Sequence, residues 1–238
     1  MTHTTITAAA RIPVRPRYLA GSEGSGETAF ALLTGPRWHK RQDEWGNHHA
    51  FGDQGRLHIG LIPGYCEMVE PVGLWHIEAR PECGAPAAWR AAMSEHAPPE
   101  IIAAFTTALA ADAEVGGDRP AYLSNTDHPD TVWRLLTEAG WRVSVSGYGF
   151  RALAPDLLAE VTHTPPRPGP ASEQTREEAW QVEIRAGDDG EALWWAEFHS
   201  ATPAHLIAAF TTDLASPEPL WRTESTLPPW VRRLTNGT

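Results

Sequence analysis

The feature that most constrains this chain is an internal duplication. Residues 74–110 of the 238-residue chain match residues 179–215 without a gap, and fifteen of the 37 positions are identical. Average composition predicts a match at roughly one position in sixteen. The identical positions include two tryptophans and a six-residue run: Trp75 with Trp180, Trp89 with Trp194, and Ile102–Thr107 with Ile207–Thr212. The chain is therefore one structural unit written twice.

The match continues upstream with small shifts in register. Pro16–Leu19 corresponds to Pro120–Leu123, and Trp38 corresponds to Trp141. These matches set the predicted boundaries of the two repeats. Repeat 2 also contains a loop rich in proline and charged residues, which we expect to be mobile. The predicted segments are repeat 1 (14–112), repeat 2 (118–217) with the mobile loop 163–179, and a C-terminal tail (218–238). We expect the two repeats to form one compact unit.

Strands are predicted where apolar and polar residues alternate. In 74–80 and 87–94 the tryptophans fall on the apolar side, and the same pattern recurs in repeat 2. A hairpin is predicted over 47–52 and 56–62, with its turn at Asp53–Gly55. Together these segments predict four strands in each copy.

A helix is predicted after the strands of each copy. Pro98 and Pro203 suit a first helical turn, and Thr202 is a candidate N-cap. Ile101, Phe105 and Leu109 are spaced by four, which gives an apolar stripe to pack on a sheet. A short strand around Tyr18 or Tyr122 and an amphipathic helix, 27–34 or 129–139, are predicted before the strands.

The predicted fold class is α+β, each copy being a four-stranded antiparallel sheet plus a C-terminal helix (ββββα). One such sheet leaves a face uncovered, and a sister copy can cover it. We therefore expect a pseudo-symmetric pair of sheets with helices against them. This architecture resembles the Whirly and purine-element-binding folds, which bind single-stranded nucleic acid on their sheets.

The chain also resembles a known sequence family. The hairpin 46–63, the Leu74-Trp-His-Ile77 strand and the helix around Ile102–Thr107 resemble domain-of-unknown-function family 317, an actinobacterial, streptomycete-rich family that often occurs as tandem copies. Pro16–Gly21 is similar to the segment that opens its members. The resemblance implies lineage and fold but no activity.

Composition narrows the classes of function. The net charge of -11 argues against broad attraction to duplex DNA. Residues 1–60 nevertheless carry seven Lys/Arg against five Asp/Glu, which allows a local basic face. Cys66 and Cys83 have no metal-like spacing and indicate reduced thiols. With neither an apolar membrane span nor a signal-peptide pattern, we expect a cytoplasmic protein that does not bind membranes.

The chain is rich in tryptophan, with eleven residues, and most of them fit a core. Trp45 and Trp195 differ, because their neighbours are charged or polar. An aromatic ring among cations can stack on nucleic-acid bases, and it can equally anchor a protein interface. The same strand face carries the motifs Glu78-x-Arg80 and Glu183-x-Arg185, which are either ligand contacts or surface ion pairs. The candidate binding residues are Arg37, Lys40, Arg41, Trp45, Arg80, Arg185 and Trp195.

Catalytic and metal-binding patterns are weak. His48, His49, His58 and His76 lack tetrahedral ligand spacing, and surface histidines explain them more simply. The glycine-rich segment 21–26 lacks the Lys-Ser/Thr of a phosphate loop. We therefore expect no catalytic residues, no metal and no cofactor.

The sequence thus favours a non-enzymatic binding module. Single-stranded DNA or RNA is the first candidate ligand. The alternative is a protein-protein interaction module without a nucleic-acid ligand, and an enzyme with a dispersed active site comes third. A homo-oligomer is compatible with either binding function.

Overall fold

The computed structural model describes most of the chain. Its described residues are 10–23, 26–62, 75–117, 119–124, 128–147, 149–165, 178–186, 191–227, 229 and 231–232. The helices are α1 (Glu27–Ala31), α2 (Pro99–Val115), α3 (Asp130–Glu138) and α4 (Ala204–Leu214). The strands are β1 (Arg11–Val14), β2 (Trp38–Gln42), β3 (His48–Gly52), β4 (Leu57–Leu61), β5 (Trp75–Ala79), β6 (Trp89–Met93), β7 (Arg142–Ser146), β8 (Gly149–Leu153), β9 (Ala159–His163), β10 (Glu178–Ala186), β11 (Glu191–His199) and β12 (Leu220–Thr223).

Ten of these strands form one antiparallel sheet that runs through both copies. Its order is β2-β3-β4-β5-β6-β11-β10-β9-β8-β7, so each copy contributes five consecutive strands. The copies join where β6 pairs with β11, with Ala92 opposite Glu197. A separate two-stranded sheet pairs β1 with β12, which ties the start of the described chain to the predicted tail.

The hydrophobic core lies on one face of the ten-stranded sheet, under the helices. The aromatic residues that the sequence placed inward are buried, and the helices bring their own rings onto them. Phe105 of α2 and Phe210 of α4 both contact Phe198, with ring centroids 5.5 Å and 5.2 Å apart. Phe30 of α1 and Trp133 of α3 pack on Trp75 and Trp180 in the same way. Phe105 and Phe210 therefore pack on the same ring, within a core that the two copies share.

The two copies are interlocked by reciprocal hydrogen bonds. The indole Nε1 of Trp89 donates to the carbonyl of Tyr122 at 2.6 Å, and that of Trp194 donates to the carbonyl of Tyr18 at 2.8 Å. Each tyrosine thus sits on the tryptophan of the other copy. Buried N–H groups need such partners, so neither copy has a complete interior without its sister.

The structure confirms several sequence predictions. The hairpin forms with its turn at Asp53–Gly55, where both Asp53 and Gln54 have positive φ. The alternating segments form β5, β6, β10 and β11 with their apolar sides buried. The stripe of Ile101, Phe105 and Leu109 faces the sheet. The local period of apolar residues was therefore enough to predict these strands and this helix.

Other predictions are wrong. Each copy has five strands in the sheet rather than four, the additional ones being the edge strands β2 and β7. β2 is mostly charged and polar, and both edge strands are largely exposed, as edges usually are. Tyr18 and Tyr122 lie in single 3-10 turns, not strands. The expected pair of sheets is one sheet, since the second copy extends the first edge to edge instead of covering its face.

The predicted N-cap of α4 and the predicted mobile loop can also be compared with the structure. The side chain of Thr202 is buried but makes no capping hydrogen bond; Pro203 occupies the N-cap position of α4. Of the predicted mobile loop 163–179, His163 ends β9 and 178–179 begin β10, while 166–177 lie outside the described residues.

Candidate functional site

The face of the ten-stranded sheet opposite the helices is polar, and we call it the polar face. Its side chains are those that alternate with the buried ones. One row of directly paired residues crosses all ten strands on this face, about 43 Å at the usual strand spacing. In order across the sheet, the row is Arg41, His49, Gly60, His76, Ala92, Glu197, Gln181, Thr162, Arg151 and Ser144.

Repeat 1 places a chain of ring contacts on its half of the polar face. Nδ1 of His49 lies 3.0 Å from Nε2 of His58, and Nε2 of His49 lies 3.3 Å from Oδ2 of Asp43. Burial opposes ionisation of Asp43, but hydrogen bonds from Asn47 and His49 outweigh it and lower its pKa to about 2. Asp43 is therefore a permanent carboxylate that orients the first imidazole.

An arginine and a phenylalanine extend this group towards the sheet edge. Phe51 stacks on His58 with an interplanar angle of 9° and a centroid separation of 4.8 Å. The guanidinium carbon of Arg41 lies 5.1 Å from the centre of the Phe51 ring, within cation–π range. Among the described residues, no carboxylate pairs with Arg41. We call Arg41, His49, Phe51 and His58 the stacked cluster.

Small residues separate the stacked cluster from the centre of the sheet. Gly60 lies between His49 and His76 in the central row, and Ala92 follows His76. A Cβ at Gly60 would lie 3.6 Å from the rings of both His49 and His58, so the glycine leaves a notch beside them. Burial lowers the pKa of both His58 and His76. The charge on His49 lowers the pKa of His58 further.

Repeat 2 fills the same positions with different chemistry. The row and the duplication make His49 equivalent to Arg151, and His58 equivalent to Glu160. Arg151 and Glu160 form an ion pair, with Nε 2.6 Å from Oε1. Phe51 is replaced by Leu153. The stacked cluster is therefore a property of repeat 1.

Comparison with known protein families identifies the family to which the chain belongs. The model of SPDY, a domain of unknown function (DUF317), matches it twice, over residues 54–115 and 153–220. These segments cover more than half of the sequence. The chain belongs to the SPDY (DUF317) family. No curated protein and no solved structure matches it.

The two SPDY matches coincide with the centre of the fold. Each contains three complete strands and the helix that follows them, β4–β6 with α2 and β9–β11 with α4. The expectation of tandem copies is thereby confirmed. The edge hairpin β2–β3 lies outside both matches, and it supplies Asp43, Arg41, His49 and Phe51 to the polar face.

The basic residues predicted near the start of the SPDY chain are not one patch. Arg41 is exposed on the polar face, and Trp45, which is 73% exposed, lies at the tip of the β2–β3 hairpin. The ammonium group of Lys40 points to the other face and donates to the carbonyl of Phe30 at 2.6 Å. Arg37 lies before β2, at the opposite end of that strand from Trp45. The structure therefore brings Arg41 and Trp45 to the same end and separates the other two.

The remaining candidates lie on the polar face but apart from one another. Arg80 contacts Glu78, and Arg185 lies 2.7 Å from Glu183, so both motifs form same-strand ion pairs. Because β5 and β10 run in opposite directions, the two arginines are at opposite ends of the sheet. Trp195 is half-buried near the middle, roughly 24 Å from Arg41 by strand spacing.

Sequence reasoning missed Phe51 and Asp43. Phe51 alternates with the buried Ala50 and Gly52, so the period of the hairpin already places it on the polar side. Asp43 gave no signal, because its contact with His49 depends on the β2–β3 turn closing.

Within the described part of the chain, no group of three or more His, Cys, Asp or Glu side chains is placed to hold a metal ion. None of the described helices has the length and apolarity to cross a membrane. The polar face presents aromatic and imidazole rings, guanidinium groups and a row of side chains repeated at the strand spacing. These features suit a ligand that is extended and polar.

Proposed function

We propose that this SPDY protein is a non-catalytic binding protein that holds single-stranded nucleic acid across the polar face. The observation that carries the proposal is the stacked cluster, where a guanidinium lies over an aromatic ring beside two imidazoles. None of the carboxylates in the described part of the chain pairs with that guanidinium. We also propose that the ligand is recognised on the face of the sheet, as in Whirly proteins. An actinobacterial lineage and a cytoplasmic location are further parts of the proposal.

The charge of the polar face supports the proposal better than the net charge does. Its described side chains include six arginines against five carboxylates, namely four glutamates and Asp43. The arginines are Arg41, Arg80, Arg90, Arg142, Arg151 and Arg185; the glutamates are Glu78, Glu160, Glu183 and Glu197. Three of these glutamates are ion-paired with arginines of the same face. The acidic excess of the chain lies elsewhere, so a phosphate backbone meets a mildly basic surface.

The width of the face suits a strand rather than a duplex. Ten strands give a nearly continuous row of polar groups about 43 Å long. Proteins of this kind combine a basic track with rings that contact bases, at roughly 1–3 kcal/mol per stacked base. The notch at Gly60 and the small Ala92 leave room for bases beside the imidazoles.

The test is fluorescence anisotropy of a labelled single-stranded oligonucleotide at two salt concentrations. Arg41→Ala should weaken binding and reduce the dependence of log K on log salt by about one charge. Arg134→Ala is the matched control, since Arg134 lies on α3, is exposed and pairs with Glu138 away from the polar face. Absence of binding at low salt, or equal losses for both variants, would overturn the proposal.

A protein partner is the second candidate, and the exposure of Trp45 favours it. A tryptophan 73% exposed at a hairpin tip is a typical anchor of a protein interface. If the oligonucleotide does not bind, a partner recovered with wild-type protein but not with Trp45→Ala would select this function.

A further inference from the structure

A pocket of about 400 Å³ lies on the helix side of the molecule, between the start of repeat 1 and the end of repeat 2. That volume is typical of small-molecule sites. Its lining is mostly apolar but includes one carboxylate and one arginine; among the lining residues are Arg15, Tyr18, Trp141, Pro155, Asp156 and Leu214. We call it the Asp156 pocket. It does not involve the polar face, so it is independent of the function proposed above.

The pocket exists because the two copies end their last helix differently. Helix α4 stops at Leu214, whereas α2 continues six residues past the equivalent Leu109, to Val115. The residue before the matched tryptophans also differs. It is Gly140 in repeat 2 and Arg37 in repeat 1.

In repeat 1 the equivalent space is occupied by the side chain of Arg37. Its Nη1 lies 3.7 Å from Oδ1 of Asp53, and its Nε lies 3.9 Å from Oε2 of Glu114 near the end of α2. The guanidinium nitrogens also lie 3.5 Å from where a Cβ of Gly116 would be. Arg56 pairs with the same carboxylate, its Nη2 lying 2.5 Å from Oδ2. Asp53 is buried, with 3% of its surface exposed.

In repeat 2 the carboxylate that contacts the tyrosine of the other copy is Asp156, one position further along the equivalent turn, and it is left open. Asp156 accepts hydrogen bonds from the hydroxyl of Tyr18 at 2.7 Å and from the backbone N–H of Leu158 at 3.0 Å. It is exposed, and among the described residues no guanidinium or ammonium group pairs with it. Each copy thus presents a carboxylate to the tyrosine of the other copy, and ion pairs to Arg37 and Arg56 are formed by Asp53.

We propose that the Asp156 pocket binds a small organic cation, an alkyl guanidine or alkyl amine, from solution. The cationic group lies against Asp156 where Arg37 lies against Asp53, and the alkyl part packs on Trp141, Pro155 and Leu214. Arg37 and Arg56 are the internal precedent for this ligand, because both guanidinium groups pair with the carboxylate of Asp53.

The test is isothermal titration calorimetry with n-butylguanidinium, compared with the neutral n-butanol and the anionic butyrate. Wild-type protein should bind butylguanidinium at one site, at least about tenfold more tightly than butanol, since a hydrogen bond to a charged group is the stronger kind. Equal or weaker binding of the cation than of butanol or butyrate would overturn the proposal.

Three variants sharpen the result, each checked for folding by circular dichroism. Asp156→Asn keeps an oxygen for Tyr18 and should weaken cation binding at least about tenfold. Ala139→Trp fills the pocket without touching the carboxylate and should abolish binding. The double variant Arg37→Ala, Arg56→Leu removes both guanidinium groups from Asp53 and should open a second site there, so the stoichiometry rises from one to two. Unchanged binding by the first two variants, or one site in the double variant, would contradict the assignment.

Discussion

The two halves of the polar face share a frame and differ in chemistry. Where repeat 1 has the imidazoles of His49 and His58 at 3.0 Å, repeat 2 has the ion pair of Arg151 and Glu160. The backbone pairing beneath them is the same. The difference teaches that the inward residues of the duplicated unit are constrained by the shared core, while the outward ones are free to acquire separate roles.

The helix side shows the same division. Asp53 and Asp156 occupy equivalent turns, and each accepts a hydrogen bond from a tyrosine of the other copy. Asp53 is enclosed by Arg37, Arg56 and the longer α2, whereas Asp156 is open. A shared structural contact thus carries a buried carboxylate in one copy and an accessible one in the other.

The largest expected effect comes from removing the two tyrosine hydroxyls. Tyr122→Phe should lower the free energy of unfolding by about 1–3 kcal/mol, because buried Asp53 then loses a donor that water cannot replace. Tyr18→Phe should cost about 0.5–1 kcal/mol, since water can reach Asp156. Urea unfolding at pH 7 measures both. Equal costs would mean that the two sites are buried alike.

A smaller effect on stability is expected from replacing the two imidazoles of the polar face in repeat 1 by the ion pair of repeat 2. Burial and the charge on His49 lower the pKa of His58, so the unfolded state binds its proton more readily. Stability that is complete above the ordinary value of 6.5 is therefore lost as pH falls from 6.5 towards the lower folded pKa.

The double variant His49→Arg, His58→Glu gives repeat 1 the ion pair of repeat 2. It should lose less stability than wild type between pH 7.5 and pH 5.5, as followed by urea unfolding. His39→Arg, which copies Arg142 on the same face, is the control. An unchanged slope in the double variant would show that these imidazoles do not set the acid response.

The smallest expected effect concerns the hairpin turns. Leu157 in repeat 2 has a φ of 67° and is 56% exposed, so its side chain adds strain and little packing. Leu157→Gly should raise the free energy of unfolding by about 0.5 kcal/mol, because the glycine relieves the left-handed strain at some cost in chain entropy. In repeat 1 the position equivalent to Leu157 is already a glycine, Gly55. Gln54→Gly, at φ 59° in the same turn, is a comparable change and should agree in sign. A loss in Tm for both variants would contradict the strain argument.

Much of the fold could be predicted from local pattern. Alternation placed Trp75, Trp89, Trp180 and Trp194 inward, and spacing by four placed Phe105 on the sheet, because burial of one face imposes the period of the element. Trp38 and Trp141 were expected to open strands, but these edge strands were left out of the count of four, since β2 carries a single buried residue, Trp38, and an edge favours charge.

By itself the sequence determined that the chain is a tandem repeat of one α+β unit, which residues form its core, and its membership of family 317. The tertiary structure alone decided that β6 joins β11 into one sheet, that each tyrosine serves the other copy, and that Asp43 meets His49. The physical reason is the distance along the sequence over which each interaction acts. Periodicity reports what each residue needs from its own element, whereas these contacts join residues brought together by turns and sheet pairing.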